Sequence, residues 1–255
     1  MHIRGITKLR DEGRIIQATL ENWASFCDAI HVYCDVCTDD TAEICRSHPA
    51  VVEVIESDLE DPNRERAEWF NRQQVLNSVR RFLQPDDWIF YADGDEHIHN
   101  LTRERLTELD KAQLVAVRLF DAHITEEDQD WPEERYADRQ WVGPEWALTP
   151  VLYRARLPWQ WRSPDQRVLY CGKRVPITIA GTMIHYGKAL SVERFERKCQ
   201  YYAEVFGPKY AAKWHARRGK AVHTQSDFGH PLVRKEDVLQ GSVEVMERSR
   251  MPLVA

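Results

Sequence analysis

Trp88-Ile89-Phe90-Tyr91-Ala92-Asp93-Gly94-Asp95-Glu96-His97-Ile98 is the stretch on which the fold is decided. Five apolar or aromatic residues follow one another without polar alternation, as expected of a central strand covered on both faces. The strand runs straight into three carboxylates. In open α/β sheets ligands bind beyond the carboxyl ends of the strands. Carboxylates crowded at such an end raise each other's pKa unless a cation sits among them. Hard carboxylate oxygens suit Mg²⁺ or Mn²⁺. Gly94 permits close approach of backbone or ligand. His97 and His99 alternate around Ile98, so a hydrolytic metal centre of Asp93, Asp95, His97 and His99 is a rival reading.

Upstream, strand-like and helix-like stretches alternate. His2–Lys8, Ala29–Cys34 and Val51–Glu56 read as strands. Between them, Asp11–Trp23 carries Ile16, Leu20 and Trp23 at helical spacing, and a short helix opens at Asp39 with Thr38 as its cap. Asn63–Phe82 reads as a long helix, broken by Pro85-Asp86-Asp87. This order predicts an α/β fold with a mostly parallel central sheet flanked by helices. Downstream, Leu101–Leu109 reads as a helix, Leu114–Phe120 as a strand, and Asp121–Glu145 as an irregular acidic stretch. Strands are expected within Thr149–Arg154 and Val175–His185, then a helix over Ser191–Phe206 with Ser191 as N-cap. Beyond Gly219 the chain is polar and poorly patterned.

The 255 residues are 43% hydrophobic and 30% charged, enough for one large core. The formal net charge of −6 argues against a protein that coats nucleic acid. No apolar run reaches the length of a membrane span, and the N-terminus lacks an apolar signal core, so a cytoplasmic location is expected. Four of the six cysteines fall in the first fifth of the chain, with Cys34 and Cys37 as a CxxC. No second pair stands at zinc-site spacing, so reduced, partly buried thiols are expected.

Four segments, in order, make the first hundred residues resemble family 2 glycosyltransferases of the GT-A fold. The strand IRGITK leads to Arg10-Asp11-Glu12, like the family's K-N-E segment. Asp35-Val36-Cys37-Thr38-Asp39-Asp40-Thr41 resembles its D-G-S-T-D-G-T loop, with Val36, Cys37 and Asp40 in place of Gly, Ser and Gly. FNRQQVLNSV resembles the helix before the fourth strand, and WIFYADGDEHI the D-x-D-E element. The resemblance implies transfer of a sugar from a nucleotide-sugar donor, typically UDP-linked, with Mn²⁺ or Mg²⁺ as cofactor. It implies that Asp35 contacts the nucleobase, that Thr7 and Lys8 lie along the base, and that Asp39 braces the loop. Arg72, Asp93 and Gly94 join the donor site. Asp95 ligates the metal, with Asp93 beside it, and His185 in MIHYGKALSVERF supplies a further ligand.

An inverting transferase needs a base for the acceptor hydroxyl. Asp165, in the Trp-rich loop Trp159–Gln166, is the first candidate, and Glu127 in the Glu126-Glu127-Asp128 cluster is the second. Trp159 and Trp161 are candidate stacking faces for a sugar or a base. The acceptor is expected to be a glycan or a lipid-linked sugar. A hydroxylated base in DNA is an alternative, on Lys213, Arg217, Arg218 and Lys220. A nucleotidyltransferase is a further alternative, but its Gly-rich loop is missing from KLRDEGR. The expected division is a donor half over 1–100, an acceptor-side half over 101–190 and a helical appendage over 191–255.

Overall fold

The computed structural model describes residues 1–58, 60–163, 166–205 and 208–248. They form two compact units. The first combines Met1–Arg118 with Leu148–Thr182; the second combines Leu119–Ala147 with described residues from Met183 onward. The boundaries between the two units fall at 118/119, 147/148 and 182/183.

The first unit opens with β1 (Ile3–Leu9), α1 (Ile16–Ala24), β2 (Ala29–Asp35), α2 (Thr41–Ser47), β3 (Val51–Ser57), α3 (Arg64–Arg80) and β4 (Trp88–Tyr91). Next come β5 (Glu96–His99), α4 (Arg103–Glu108), β6 (Leu114–Ala122), β7 (Trp141–Arg154) and β8 (Ile177–His185), the last three running past a unit boundary. The strand order is β3-β2-β1-β4-β7-β6-β8-β5. β1 pairs in parallel with both β2 and β4, and β2 pairs in parallel with β3. β4 meets β7 antiparallel, Trp88 opposite Arg154. This is the expected α/β class. Because β1, β2 and β4 run in parallel, their carboxyl ends all open on one edge of the sheet.

Local sequence explains the elements. Asn63 caps α3 by accepting the Arg66 N–H at 3.0 Å. From α3, Val75, Leu76 and Val79 bury completely against Ile6, Ile89 and Tyr91 of the sheet. α2 begins at Thr41 with Asp40 at its cap position, not Thr38; Asp39 Oδ1 takes the Thr41 N–H at 3.0 Å. At the far end of β4, Arg154 lies over Trp88 at 3.7 Å and donates to the carbonyls of Asp86 and Asp110 at 2.9 Å each.

β7 is one 14-residue strand that begins in the second unit, and its Trp141–Glu145 part was expected to be irregular. α5 (Val192–Val205) is capped by Ser191, whose Oγ accepts the Arg194 N–H at 3.1 Å. α6 (Pro208–His215) packs on it through Phe195, Cys199 and Trp214. The polar tail holds three short elements that the sequence pattern did not predict. β9 (Val233–Arg234) and β10 (Met246–Glu247) both pair with β7, and α7 (Lys235–Gln240) ends at Gly241.

Candidate functional site

Asp35 ends β2 with 1% of its surface exposed. Three cations reach its Oδ2: Arg64 Nη2 at 2.5 Å, Lys8 Nζ at 3.3 Å and Arg10 Nη1 at 4.0 Å. Burial pushes this carboxyl up, but Arg64 and Lys8 outweigh it and hold the group below the usual carboxylate range. Glu68, one turn after Arg64, pairs with Lys8 and lies 3.2 Å from Arg72. Arg64, Glu68 and Arg72 stand at four-residue spacing on one face of α3. The sequence reading named Arg72 but not Arg64 or Glu68, although that spacing was the available signal.

Arg72 continues the cluster, its guanidinium 5.9 Å from the Tyr91 ring. Tyr91 donates to Asp93 Oδ1 at 2.7 Å. Asp93 Oδ2 lies 3.6 Å from Arg167, which also ion-pairs with Glu96. Glu96 is fully buried and takes the Asp93 N–H at 2.9 Å. Asp95 is 9% exposed, and ligand oxygens of Asp95 and Glu96 lie within 4.8 Å of each other. Sequence reasoning singled out neither Arg167 nor Glu96; no periodicity links Arg167 to Glu96, which is 71 positions away.

Other expected residues have different surroundings. The Thr7 side chain is fully buried and donates to the Ala92 carbonyl at 2.9 Å, tying β1 to the end of β4. At Gly94, a Cβ would fall 2.8 Å from Leu9 Cδ2, so its smallness serves packing. Asp39 accepts the Gly13 N–H on Oδ2 at 2.9 Å. Val36, where the resembling family carries Gly, adopts φ 49°, a left-handed value rare for a β-branched residue. Trp159 and Trp161 are 2% and 3% exposed core residues whose indole N–H groups donate to Arg154 and Arg167 carbonyls at 2.8 and 3.0 Å. They are not stacking faces. His97 is buried against Thr19 Oγ1 at 3.3 Å, its ring 6.4 Å from that of His99. Among the described residues Asp93, Asp95, His97 and His99 do not converge as a metal-holding group. The six cysteines are free thiols, five of them buried. Asp165 lies outside the described residues.

In the second unit His185 ends β8, with Nδ1 2.7 Å from Asp121 Oδ1. Asp121 also pairs with Arg248 at 2.7 Å and Lys188 at 3.3 Å. Burial raises this carboxyl, and Lys188 and His185 overcome that to place it well below the usual range. Glu127 is exposed and accepts from Trp141 Nε1 at 3.0 Å. No helix among the described residues is long and apolar enough to cross a membrane.

No family profile matches the chain. Two uncharacterized proteins, from Mycobacterium tuberculosis and Mycobacterium bovis, are each 35% identical over 99 residues. That stretch is 37% of this chain and spans only 23% of either relative's length. Among solved structures, S. aureus TarS is similar at 11% identity and a TM-score of 0.45, over 88% of this chain and 44% of that one. Glucosyl-3-phosphoglycerate synthase from Mycobacterium tuberculosis, in complex with Mn²⁺, UDP and glucosyl-3-phosphoglycerate, aligns at 17% identity and a TM-score of 0.31, over 46% of this chain and 44% of that one. A putative glucose-1-phosphate thymidylyltransferase from Bacillus anthracis aligns at 13% identity and a TM-score of 0.39, over 82% and 99% of the two chains.

Proposed function

We propose that the chain is a nucleotide-sugar-dependent glycosyltransferase whose donor binds at the carboxyl ends of β1, β2 and β4. One observation carries the reading. Lys8, Arg64, Arg72 and Arg167 stand around Asp35, Glu68, Asp93 and Glu96 at that edge of the sheet. A strand-end basin that holds both signs of charge suits a ligand that is itself divided. A diphosphate needs cations, and a base with an N–H needs a carboxylate. The Asp35 carboxylate, held ionised by these cations, is the group assigned to a base such as uracil.

The carboxylates of Asp93, Asp95 and Glu96 are the hard donors that Mg²⁺ or Mn²⁺ prefers. Asp95 with Asp93 would hold the ion. Bound there, a divalent ion would offset charge on the leaving diphosphate. This chain's own residues do the rest. Tyr91 orients Asp93, Glu96 anchors Arg167, and Arg72 faces the same edge.

The acceptor is proposed to be a saccharide, free or lipid-linked. The basic segment offers little to DNA: Arg217 is already bonded to Asp227 at 2.6 Å. The test is a thermal-shift panel of nucleotide-sugars with and without Mn²⁺, since a ligand that binds only the folded state raises the melting temperature. A metal-dependent shift with a UDP-sugar is expected. Asp95→Ala should keep the fold and lose both the metal dependence and transfer; full activity in that variant would sink the assignment.

A further inference from the structure

Arg167, Asp93 and Glu96 all belong to the first unit, and the loop that carries Arg167 is built onto its core. Gln160 and Tyr170 pair antiparallel, each N–H donating to the other's carbonyl at 2.9 Å. Trp161 Nε1 donates to the Arg167 carbonyl at 3.0 Å, and the Trp161 carbonyl accepts from Trp69 Nε1 of α3 at 3.1 Å. The Trp161 ring meets Tyr91 edge-on at 5.2 Å. The Arg167 backbone is thereby fixed beside the end of β4. Its two Nη groups bond the two oxygens of Glu96, a carboxylate with no exposed surface. Nη1 also lies 3.6 Å from Asp93 Oδ2, while Asp93 Oδ1 accepts the Tyr91 hydroxyl. Arg167 Nε is buried with no hydrogen-bond partner among the described residues. The guanidinium is not sealed in: 27% of the Arg167 side chain and 35% of the Asp93 side chain meet solvent.

We propose that Arg167 couples the divalent ion to the diphosphate: without nucleotide it competes with the ion for Asp93, and with nucleotide bound it turns to the diphosphate and frees Asp93 for the ion. The argument starts from Glu96. Both its oxygens face Arg167, and Oε2 also takes the Asp93 N–H at 2.9 Å, so Glu96 holds the guanidinium in place. Asp93 is the partner that can be exchanged, being more exposed and farther away. A guanidinium is always charged, and a divalent ion on the same carboxylate would be repelled by it. A diphosphate reverses the sign of that interaction. It brings negative charge that two cations can share, and a guanidinium fork suits phosphate oxygens geometrically. The unpartnered Nε gives the fork a donor to spare. The coupling is reciprocal: if nucleotide tightens the ion, the ion tightens nucleotide by the same factor. An arginine that merely neutralised Glu96 would leave the affinity for the ion unchanged.

This assignment rests on the nucleotide-sugar reading, so the test separates the two. Mn²⁺ is titrated into the whole chain with and without UDP, and free Mn²⁺ is read by electron paramagnetic resonance. In the parent protein UDP should tighten Mn²⁺ by about tenfold, within the usual range of coupling between two ligands. In Arg167→Gln, Mn²⁺ alone should bind about fivefold tighter than in the parent, and the gain from UDP should fall to about twofold or less. That variant leaves the buried Glu96 charge without its partner and could fail to fold. Arg167→Lys keeps a cation for Glu96, but a single point charge does not span two carboxylates, so Mn²⁺ alone should bind about twofold tighter there. Equal affinity for Mn²⁺ alone in the parent and the folded variants, or no Mn²⁺ binding in any of them, overturns the proposal. An undiminished gain from UDP in Arg167→Gln overturns it as well. If the parent binds Mn²⁺ but not UDP, the donor reading fails, and the comparison of Mn²⁺ alone still decides whether Arg167 competes for Asp93.

Discussion

Asp35 and Arg64 are both buried, and each is the other's closest ionic partner among the described residues. Removing one side of such a pair strands a charge, which costs about 3 kcal/mol or more. Arg64→Met should therefore lower the stability measured by urea unfolding by that amount, with the loss partly offset by Lys8. The pH dependence has a definite sign. Asp35 titrates below its ordinary value in the folded protein, so the unfolded chain binds that proton more readily. Its contribution is fully present above the unfolded value of about 3.9 and is lost as pH falls through the lower folded one. Acid titration of stability should fall less steeply below about pH 4 in Arg64→Met than in the parent. An unchanged slope would remove Arg64 as the cause.

Among the elements, the D-x-D-E stretch was legible because a strand of uninterrupted apolar residues and a carboxylate cluster are both local patterns. Asp35 and Asp39 were legible as part of one loop. Arg167 was not, because only the folded chain brings it to Glu96. Trp159 and Trp161 were misread for a related reason: an indole suits a core or a ligand equally, and only burial separates the two. The first half of β7 was hidden because Gly143, Pro144 and Glu145 break the apolar alternation. Gly94 was noted for ligand approach, whereas Leu9 occupies that space. Gly94→Ala should cost about 1–3 kcal/mol of stability. Introduced into a Leu9→Ala background it should cost less, and the double-mutant cycle should return a coupling of roughly 1 kcal/mol. Equal costs in both backgrounds would show that the contact is not the cause.

For the whole molecule, neither compact unit is a continuous stretch of chain. The parallel strands β1–β4 come from the first ninety-odd residues, but β4 needs Leu152–Arg154 as its other neighbour. Arg154 also gathers the carbonyls of Asp86, Leu109, Asp110 and Ala112. A fragment ending at Arg118 lacks all of this and exposes the Trp88 edge. Such a fragment should be aggregated or unfolded by circular dichroism and amide NMR, although it contains most of the residues proposed for the donor site. A dispersed spectrum from it would mean that the first half folds by itself. The resemblance along the first hundred residues thus covers the proposed donor site without delimiting a folding unit.

Val36 has a consequence for time rather than for energy. A β-branched residue at φ 49° costs roughly 1–2 kcal/mol relative to its preferred backbone. Glycine would remove that penalty and return about 0.5–1 kcal/mol to the unfolded chain as entropy. The two effects nearly cancel, so Val36→Gly should leave the melting temperature within a few degrees of the parent. What changes is the rate at which the loop opens: a stiff side chain in an awkward pose admits few neighbouring conformations, and glycine admits many. Amide exchange at residues 36–38 should speed up severalfold in a protein that looks equally stable by every bulk measure. The valine would then act as a damper, setting how long the strand end beneath it keeps one shape.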